Sequence, residues 1–300
     1  MLKPQSLTEN LELIAKQVVE GFIIGLHKSP FHGFSVEFAE HRLYNQGDPL
    51  RHIDWRVYGR TDKLFIKRFE EETNLRCCLV VDTSSSMHYP RDEKKMSKLQ
   101  FACLSAAGLL QLLKRQLDAA CLALFDEDIY YLSDCRSALS HYRMLTNELE
   151  KALQHNAEHK RTNAAAALHQ VAEQMHKRSL VVVFSDMMDD SDNIEELFSA
   201  LQHLRYNKHE VILFHITDGK QELSFEFENR PYEFVDMESG ERIKLQPQQI
   251  KDEYIKRMKT FQEMIENRCH QYRIDRVAVD LSEPVEQVLN SFLLKRNKML

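Results

Sequence analysis

Glycine and proline are scarce, at 8 and 7 of 300 residues. That scarcity excludes collagen-like repeats, Gly/Ser linkers and low-complexity tracts, and the chain carries no internal repeat. Cysteine is sparse too: Cys77 and Cys78 are adjacent, and Cys103, Cys121, Cys135 and Cys269 are scattered. Without a Cys-x-x-Cys pair, neither a disulfide framework nor a cysteine zinc site is indicated, and buried free thiols are expected. No stretch approaches the ~20 apolar residues of a membrane-spanning helix. The longest apolar runs, such as residues 180–184, are strand-sized. Residues 1–6 lack the apolar core of a signal peptide, so a cytoplasmic location is expected. A net charge of -6 gives no global sign of nucleic-acid binding. His155 and His159 have the i,i+4 spacing of a metal pair, but no third ligand is evident and a solvated helix face is the preferred reading.

What remains is an ordinary globular balance, 43% hydrophobic and 29% charged, in a chain long enough for one large domain or a domain with an extension. Leu7, Leu11, Ile14, Val18 and Phe22 recur at helical spacing and predict an amphipathic helix over residues 7–26. Residues 27–72 hold turn signals and short extended pieces. From Leu75 apolar strands alternate with helical patterns: strands at 75–81, 119–125, 129–132, 180–184, 210–216 and 276–281, helices at 94–117, 142–154, 163–176, 194–204, 248–269 and 284–294. This alternation predicts an α/β fold with a mostly parallel central sheet covered by helices on both faces. The 129–132 strand, joined through Asp126-Glu127-Asp128, is expected as a short antiparallel edge. Residues 222–246 break the rhythm and read as a β excursion.

Three apolar strands end in oxygen-rich clusters: Asp82-Thr83-Ser84-Ser85-Ser86, Ser185-Asp186 and Thr217-Asp218. In an open parallel sheet, sites form outside the carboxyl ends of the strands. Alternate residues of an extended loop point the same way, so Asp82, Ser84 and Ser86 could converge on one hard divalent cation. The competing reading is that Asp82 and the serines cap the following helix.

The Asp-x-Ser-x-Ser stretch resembles the metal-ion-dependent adhesion site of von Willebrand factor A domains. That resemblance implies a site completed by a Thr from a later loop and an Asp after the fourth strand, which here are Thr162 and Asp186. Thr162 follows Lys160-Arg161, whereas the family often has Gly before this Thr. Upstream, "EFAEHRLYNQGDPLRHIDWRVYGRTDKLFIKRFEEE" resembles the signature of a bacterial family called domain of unknown function fifty-eight, strongly over residues 33–90 and by architecture beyond. Gly59 stands where that signature usually has Ala. The resemblance implies a Rossmann-like von Willebrand A fold over residues 73–300, with residues 1–72 as an N-terminal extension of helix and small strands packed on it. It also implies a non-enzymatic module that binds a partner's carboxylate through a divalent ion, Mg²⁺ before Mn²⁺ or Ca²⁺. The implied partner is a MoxR-type AAA+ ATPase, in a chaperone or assembly role.

Residues 51–69 carry six Arg or Lys, two Asp and the sole Trp. A packed extension with internal Arg–Asp pairs and buried aromatics is the preferred reading. If the stretch instead recognises an acidic protein partner, Arg51, Asp54, Trp55 and Arg60 are the candidate contacts. Two alternatives differ in class. One is nucleic-acid binding through this basic aromatic stretch, which the negative charge elsewhere argues against. The other is metal-dependent phosphoester hydrolysis, suggested by the Asp-rich run at 186–192. The latter lacks a Gly-rich phosphate loop, a nucleophile elbow and a histidine base placed by sequence.

Overall fold

The computed structural model of the chain describes residues 11–23, 38–44, 53–69, 75–92, 94–154, 164–188 and 194–298. Two compact units are distinct, one of residues 1–30 with 76–300 and one of residues 31–75. The first helix, α1 (Leu11–Ile23), therefore belongs to the larger unit and not to the segment that follows it.

In the smaller unit β1 (Phe38–Leu43) pairs antiparallel with β2 (Phe65–Phe69), with a register shift between Phe38 and Glu40. Between them lies α2 (Trp55–Thr61). Asp54 caps it, its Oδ1 accepting from the amides of Arg56 and Val57 at 3.0 and 3.3 Å. Asp62 ends it in the left-handed region, at φ 51°. Ile53 bridges Ile66, and both side chains are buried.

The larger unit is built on six strands: β3 (Arg76–Asp82), β4 (Ala119–Phe125), β5 (Ile129–Leu132), β6 (Leu180–Ser185), β7 (Glu210–Thr217) and β10 (Asp275–Asp280). Their order is β10-β7-β6-β3-β4-β5, and all neighbours are parallel except β4 and β5. The fold is thus the expected α/β one, a mostly parallel central sheet with helices on both faces and a short antiparallel edge at β5. β3 is central and buried from Cys77 to Asp82, which is why its sequence is a continuous apolar run rather than an alternating one.

Alternation still sorts the residues. Cys78, Val80, Cys121, Ala123, Val181, Val183, Val211 and Leu213 pack on α5 (Ala164–Gln174), α6 (Ile194–Tyr206) and α7 (Pro247–Tyr272). Phe214 faces the other side, where its ring meets Phe292 of α8 (Val285–Lys298) at 5.2 Å. On that side α3 (Lys98–Arg115) is covered by α1, α8 and α4 (Leu139–Gln154) and is buried almost all round. Gly108 lets these helices approach: a Cβ there would stand 3.2 Å from Leu289 and 3.8 Å from Val19.

The β excursion is real. A π-helical turn (Gly219–Leu223) leads into a hairpin of β8 (Tyr232–Val235) and β9 (Arg242–Leu245). Phe225, Phe227, Tyr232 and Phe234 cluster, and Phe225 also meets Tyr254 of α7.

Candidate functional site

The strand order reverses between β3 and β6: the chain steps from β3 to β4 on one side, then returns to β6, β7 and β10 on the other. Crevices for ligands open at such a switch point, outside the carboxyl ends of the strands. Asp82 ends β3 and Asp186 follows β6, so both flank it.

The two strand ends are joined directly. Ser185 Oγ donates to Asp82 Oδ2 at 2.8 Å and accepts from the Met187 amide at 2.9 Å. Asp82 Oδ1 accepts from the Ser84 amide at 3.0 Å, which turns the loop back over the carboxylate. Ser84 Oγ and Ser86 Oγ lie 3.2 Å apart, so the alternate hydroxyls converge as the spacing predicts. The intervening Thr83 points elsewhere, its Oγ1 donating to the Phe125 carbonyl at 2.8 Å and tying β3 to β4.

The capping reading of this loop is not what the helix uses. α3 is capped by Ser97, in a reciprocal box: the Gln100 amide donates to Ser97 Oγ at 3.2 Å and the Ser97 amide to Gln100 Oε1 at 2.9 Å. Asp82 is left fully buried, with no cationic partner among the described residues. Burial, and then the neighbouring Asp186, push its pKa up to about 7.

Two residues that the sequence reading missed complete the crevice. Lys98, 1% exposed, donates from Nζ to Asp186 Oδ2 at 2.8 Å and is ion-paired with Glu222 of the π-helical turn. The other oxygen of Asp186 accepts from the Met188 amide at 3.0 Å. Asp218 caps the turn, accepting from the amides of Lys220 and Gln221, and its own amide donates to Glu222 Oε2 at 2.8 Å. Behind Asp186, His215 Nε2 lies 3.0 Å from the Asp186 carbonyl, and Arg276 donates to His215 Nδ1. Because Nδ1 accepts, the ring proton is on Nε2 and donates to that carbonyl. Burial, reinforced by Arg276, lowers the His215 pKa to about 4.

Does this donor set fit a divalent ion? Two carboxylates, Asp186 and Glu222, share one ammonium and Asp82 adds a third, leaving an excess of negative charge beside two convergent hydroxyls. Asp82, Ser84 and Ser86 offer hard oxygen donors of the kind that such an ion takes. They fit. Thr162, Asp189, Asp190, Asp192, His155 and His159 lie outside the described residues. Among the described residues no group of three or more His, Cys, Asp or Glu side chains is arranged to hold a metal, so any ion here depends on the hydroxyls.

In the smaller unit, Arg51 lies outside the described residues. Asp54 is spent on capping α2. The aromatics are not buried as expected: Trp55 is 63% and Tyr58 39% exposed. A seven-residue helix presents just one i,i+3 aromatic pair, and the two rings pack edge to face on each other at 6.1 Å. Arg56 and Arg60 are exposed and form no ion pair among the described residues.

The chain is similar to several solved structures and curated proteins. The solved structures similar to the chain include BatB from Bacteroides thetaiotaomicron, with 15% identity, a TM-score of 0.44, and 75% of this chain and 99% of that one covered. An aerotolerance-related membrane protein from Bacteroides fragilis NCTC 9343 is 14% identical with a TM-score of 0.46, covering 75% and 100%. The SpRpn10 VWA domain is 11% identical with a TM-score of 0.35, covering 73% and 95%. The cytoplasmic expectation is corrected here: a similar structure belongs to a protein described as a membrane protein. The described residues contain no helix long and apolar enough to cross a membrane, and that fact assigns no compartment.

The curated relatives include the uncharacterized proteins Rv1480 of Mycobacterium tuberculosis (strain ATCC 25618 / H37Rv) and Mb1516 of Mycobacterium bovis (strain ATCC BAA-935 / AF2122/97). Each is 37% identical over 79 residues, which are 26% of this chain and 25% of the relative, so the match spans a quarter of those relatives' length. The family model described as "Protein of unknown function DUF58" matches residues 40–264, well over half of the sequence, and the chain belongs to that family.

Proposed function

We propose that the chain is a non-catalytic protein-interaction module whose contact point is the crevice between the ends of β3 and β6. The observation that carries this reading is Asp82: a fully buried carboxylate without a cation among the described residues, set beside the convergent hydroxyls of Ser84 and Ser86. Folding alone has no use for an uncompensated buried charge, which costs several kcal/mol. A divalent ion, Mg²⁺ first among the candidates, would be held by Asp82, Ser84 and Ser86, with Thr162 and Asp186 as the further positions that the family pattern supplies. When bound, it offers a hard coordination position that a partner's Asp or Glu carboxylate fills. The residues around it do the positioning: Ser185 fixes one oxygen of Asp82, the Ser84 amide the other, and His215 holds the Asp186 backbone. The partner class we favour is a MoxR-type AAA+ ATPase.

Catalysis is the weaker reading. Ser84 Oγ is bonded to Ser86 Oγ, and His215 has both ring nitrogens committed and a lowered pKa, so neither forms a nucleophile–base pair. A second contact surface has its own observation: exposed Trp55 flanked by exposed Arg56 and Arg60 suits an acidic protein segment. Nucleic acid would reveal itself there by a steep loss of affinity with salt.

The test is binding of the purified full chain to a MoxR-type ATPase, in Mg²⁺ and in chelator. Wild type is expected to bind at least tenfold better in Mg²⁺, and Asp82→Ala to lose that gain while keeping its circular dichroism spectrum. Asp82→Ala binding as tightly as wild type in Mg²⁺, with the tenfold gain over chelator kept, refutes the crevice as the contact point.

A further inference from the structure

Lys98 is in the wrong place for a helix. It is the first residue of α3, directly after the Ser97 cap, where the helix dipole disfavours a cation. Its ammonium is also withdrawn from water, which carries a penalty unless charged partners are supplied. Leu99 and the next fourteen positions of α3 supply the apolar packing, so the helix does not need an ion at its first turn. The charge is there for what it meets.

What it meets is the carboxylate of Asp186 at 2.8 Å and that of Glu222, with the Tyr89 ring 5.8 Å away and the Lys98 amide bonded to the Tyr89 carbonyl at 2.9 Å. Both carboxylates lie against the ammonium, so its charge is compensated within the fold. Asp82, by contrast, has no such partner among the described residues. The cluster is therefore asymmetric. On the Asp186 side the counter-charge is covalently tethered; on the Asp82 side it is missing.

This asymmetry deepens the ion-site reading above and rests on it. We infer that Lys98 is a tethered counter-ion that withdraws Asp186 from ion coordination, so that the crevice holds a divalent cation weakly through Asp82, Ser84 and Ser86 until a partner's carboxylate completes the shell. Lys98 is a positioning residue in this scheme. It fixes Asp186 and, through Glu222, ties the turn at 219–223 to the mouth of the crevice. Weak retention in the free chain makes ion and partner bind together, since each supplies what the other lacks.

The experiment measures Mn²⁺ affinity of the purified full chain by the loss of the free-ion electron paramagnetic resonance signal. Four forms are compared: wild type, Lys98→Met, Lys98→Met/Glu222→Gln, and Lys98→Met/Asp82→Asn. The double change at 98 and 222 removes one positive and one negative charge, so it frees Asp186 without altering the net charge of the cluster. It also spares the fold an unpaired Glu222 if Lys98→Met alone is too unstable. Both Lys98→Met and Lys98→Met/Glu222→Gln are expected to bind Mn²⁺ at least tenfold more tightly than wild type, and Lys98→Met/Asp82→Asn to lose that binding. Equal affinity in wild type and the Lys98 variants overturns the inference and leaves the ion site standing. Tight binding that survives Asp82→Asn places the ion on the freed Asp186 instead, and overturns it too. No binding by any folded form overturns both the inference and the ion in the proposed function.

Discussion

A residue kept for folding and a residue kept for a site respond oppositely to removal, and Asp82 allows the distinction to be measured. Replace it with Asn, which keeps the shape and removes the charge. In chelator, Asp82 titrates at about 7 in the fold, whereas an ordinary aspartate in the unfolded chain titrates near ~3.9. The sign follows from proton counting. Below about pH 4 both states hold the proton and the residue costs nothing. Between about pH 4 and 7 the unfolded chain has released a proton that the fold retains, so each rise in pH favours unfolding. Above 7 both states are ionised and the whole penalty is present, roughly 4 kcal/mol from the difference between the two values. Against it stands the hydrogen bond from Ser185, which Asn alters, worth about 1 kcal/mol.

Asp82→Asn is therefore expected to be more stable than wild type by roughly 2–4 kcal/mol at pH 8 and to match it or fall slightly below at pH 4. Urea unfolding followed by circular dichroism at both pH values, in chelator, reads this directly; carboxylates remote from Asp82 cancel because they are common to both proteins. Added Mg²⁺ should then stabilise wild type alone, by about 1.4 kcal/mol at ten times its dissociation constant. An Asn variant less stable than wild type by the same amount at both pH values would refute the reasoning. Asp82 would then be a structural hydrogen-bond acceptor, and the loop a cap of the kind first weighed for "DTSSS".

Two further outcomes are expected. His215 is neutral in the fold with a pKa of about 4, while in the unfolded chain it gains a proton below ~6.5, so stability falls as pH drops through that window. His215→Gln should remove roughly 3 kcal/mol of that acid-side loss, read as the difference in urea midpoints between pH 7 and pH 4; an unchanged difference means that the imidazole is not desolvated. Gly219→Ala would place a Cβ 2.0 Å from Asp280 Oδ2, so the turn carrying Glu222 must shift. A loss of roughly 1–3 kcal/mol is expected in the same assay, and wild-type stability would show that the contact relaxes freely.

The fold was legible because its signals are local. β3, β6 and β7 are short apolar runs that only a sheet buried on both faces explains, and the acidic turn at 126–128 permits only an antiparallel partner at β5. Boundaries were less legible. The pattern alone carries α3 back to residue 94, but the Ser97–Gln100 box sets its start at 98. The stretch 51–69 was misjudged because its composition, aromatic and charged in equal measure, suits a packed or an open segment alike. Its seven-residue helix buries none of its residues, and Trp55 stays exposed with its ring edge to face on Tyr58.

At the site, the halves that adjoin the strands could be read, because strand ends must meet at the switch point: Asp82 and Ser185 do, at 2.8 Å. Lys98 and Glu222 could not be paired from sequence. They are distant in the chain, and their meeting depends on a turn after β7 whose path no periodicity encodes. One clue was present all the same. A lysine at the first position of a helix, followed by an almost wholly buried run, defies both the dipole and the burial rule at once. A local rule broken without local compensation points to a distant one, and here the compensation is the pair of carboxylates across the crevice. The same logic applies to Asp82, with one difference: no compensating cation stands beside it among the described residues. A buried lysine that finds its counter-charges within the fold, beside a buried aspartate that finds none among the described residues, is the arrangement on which the proposed ion site rests.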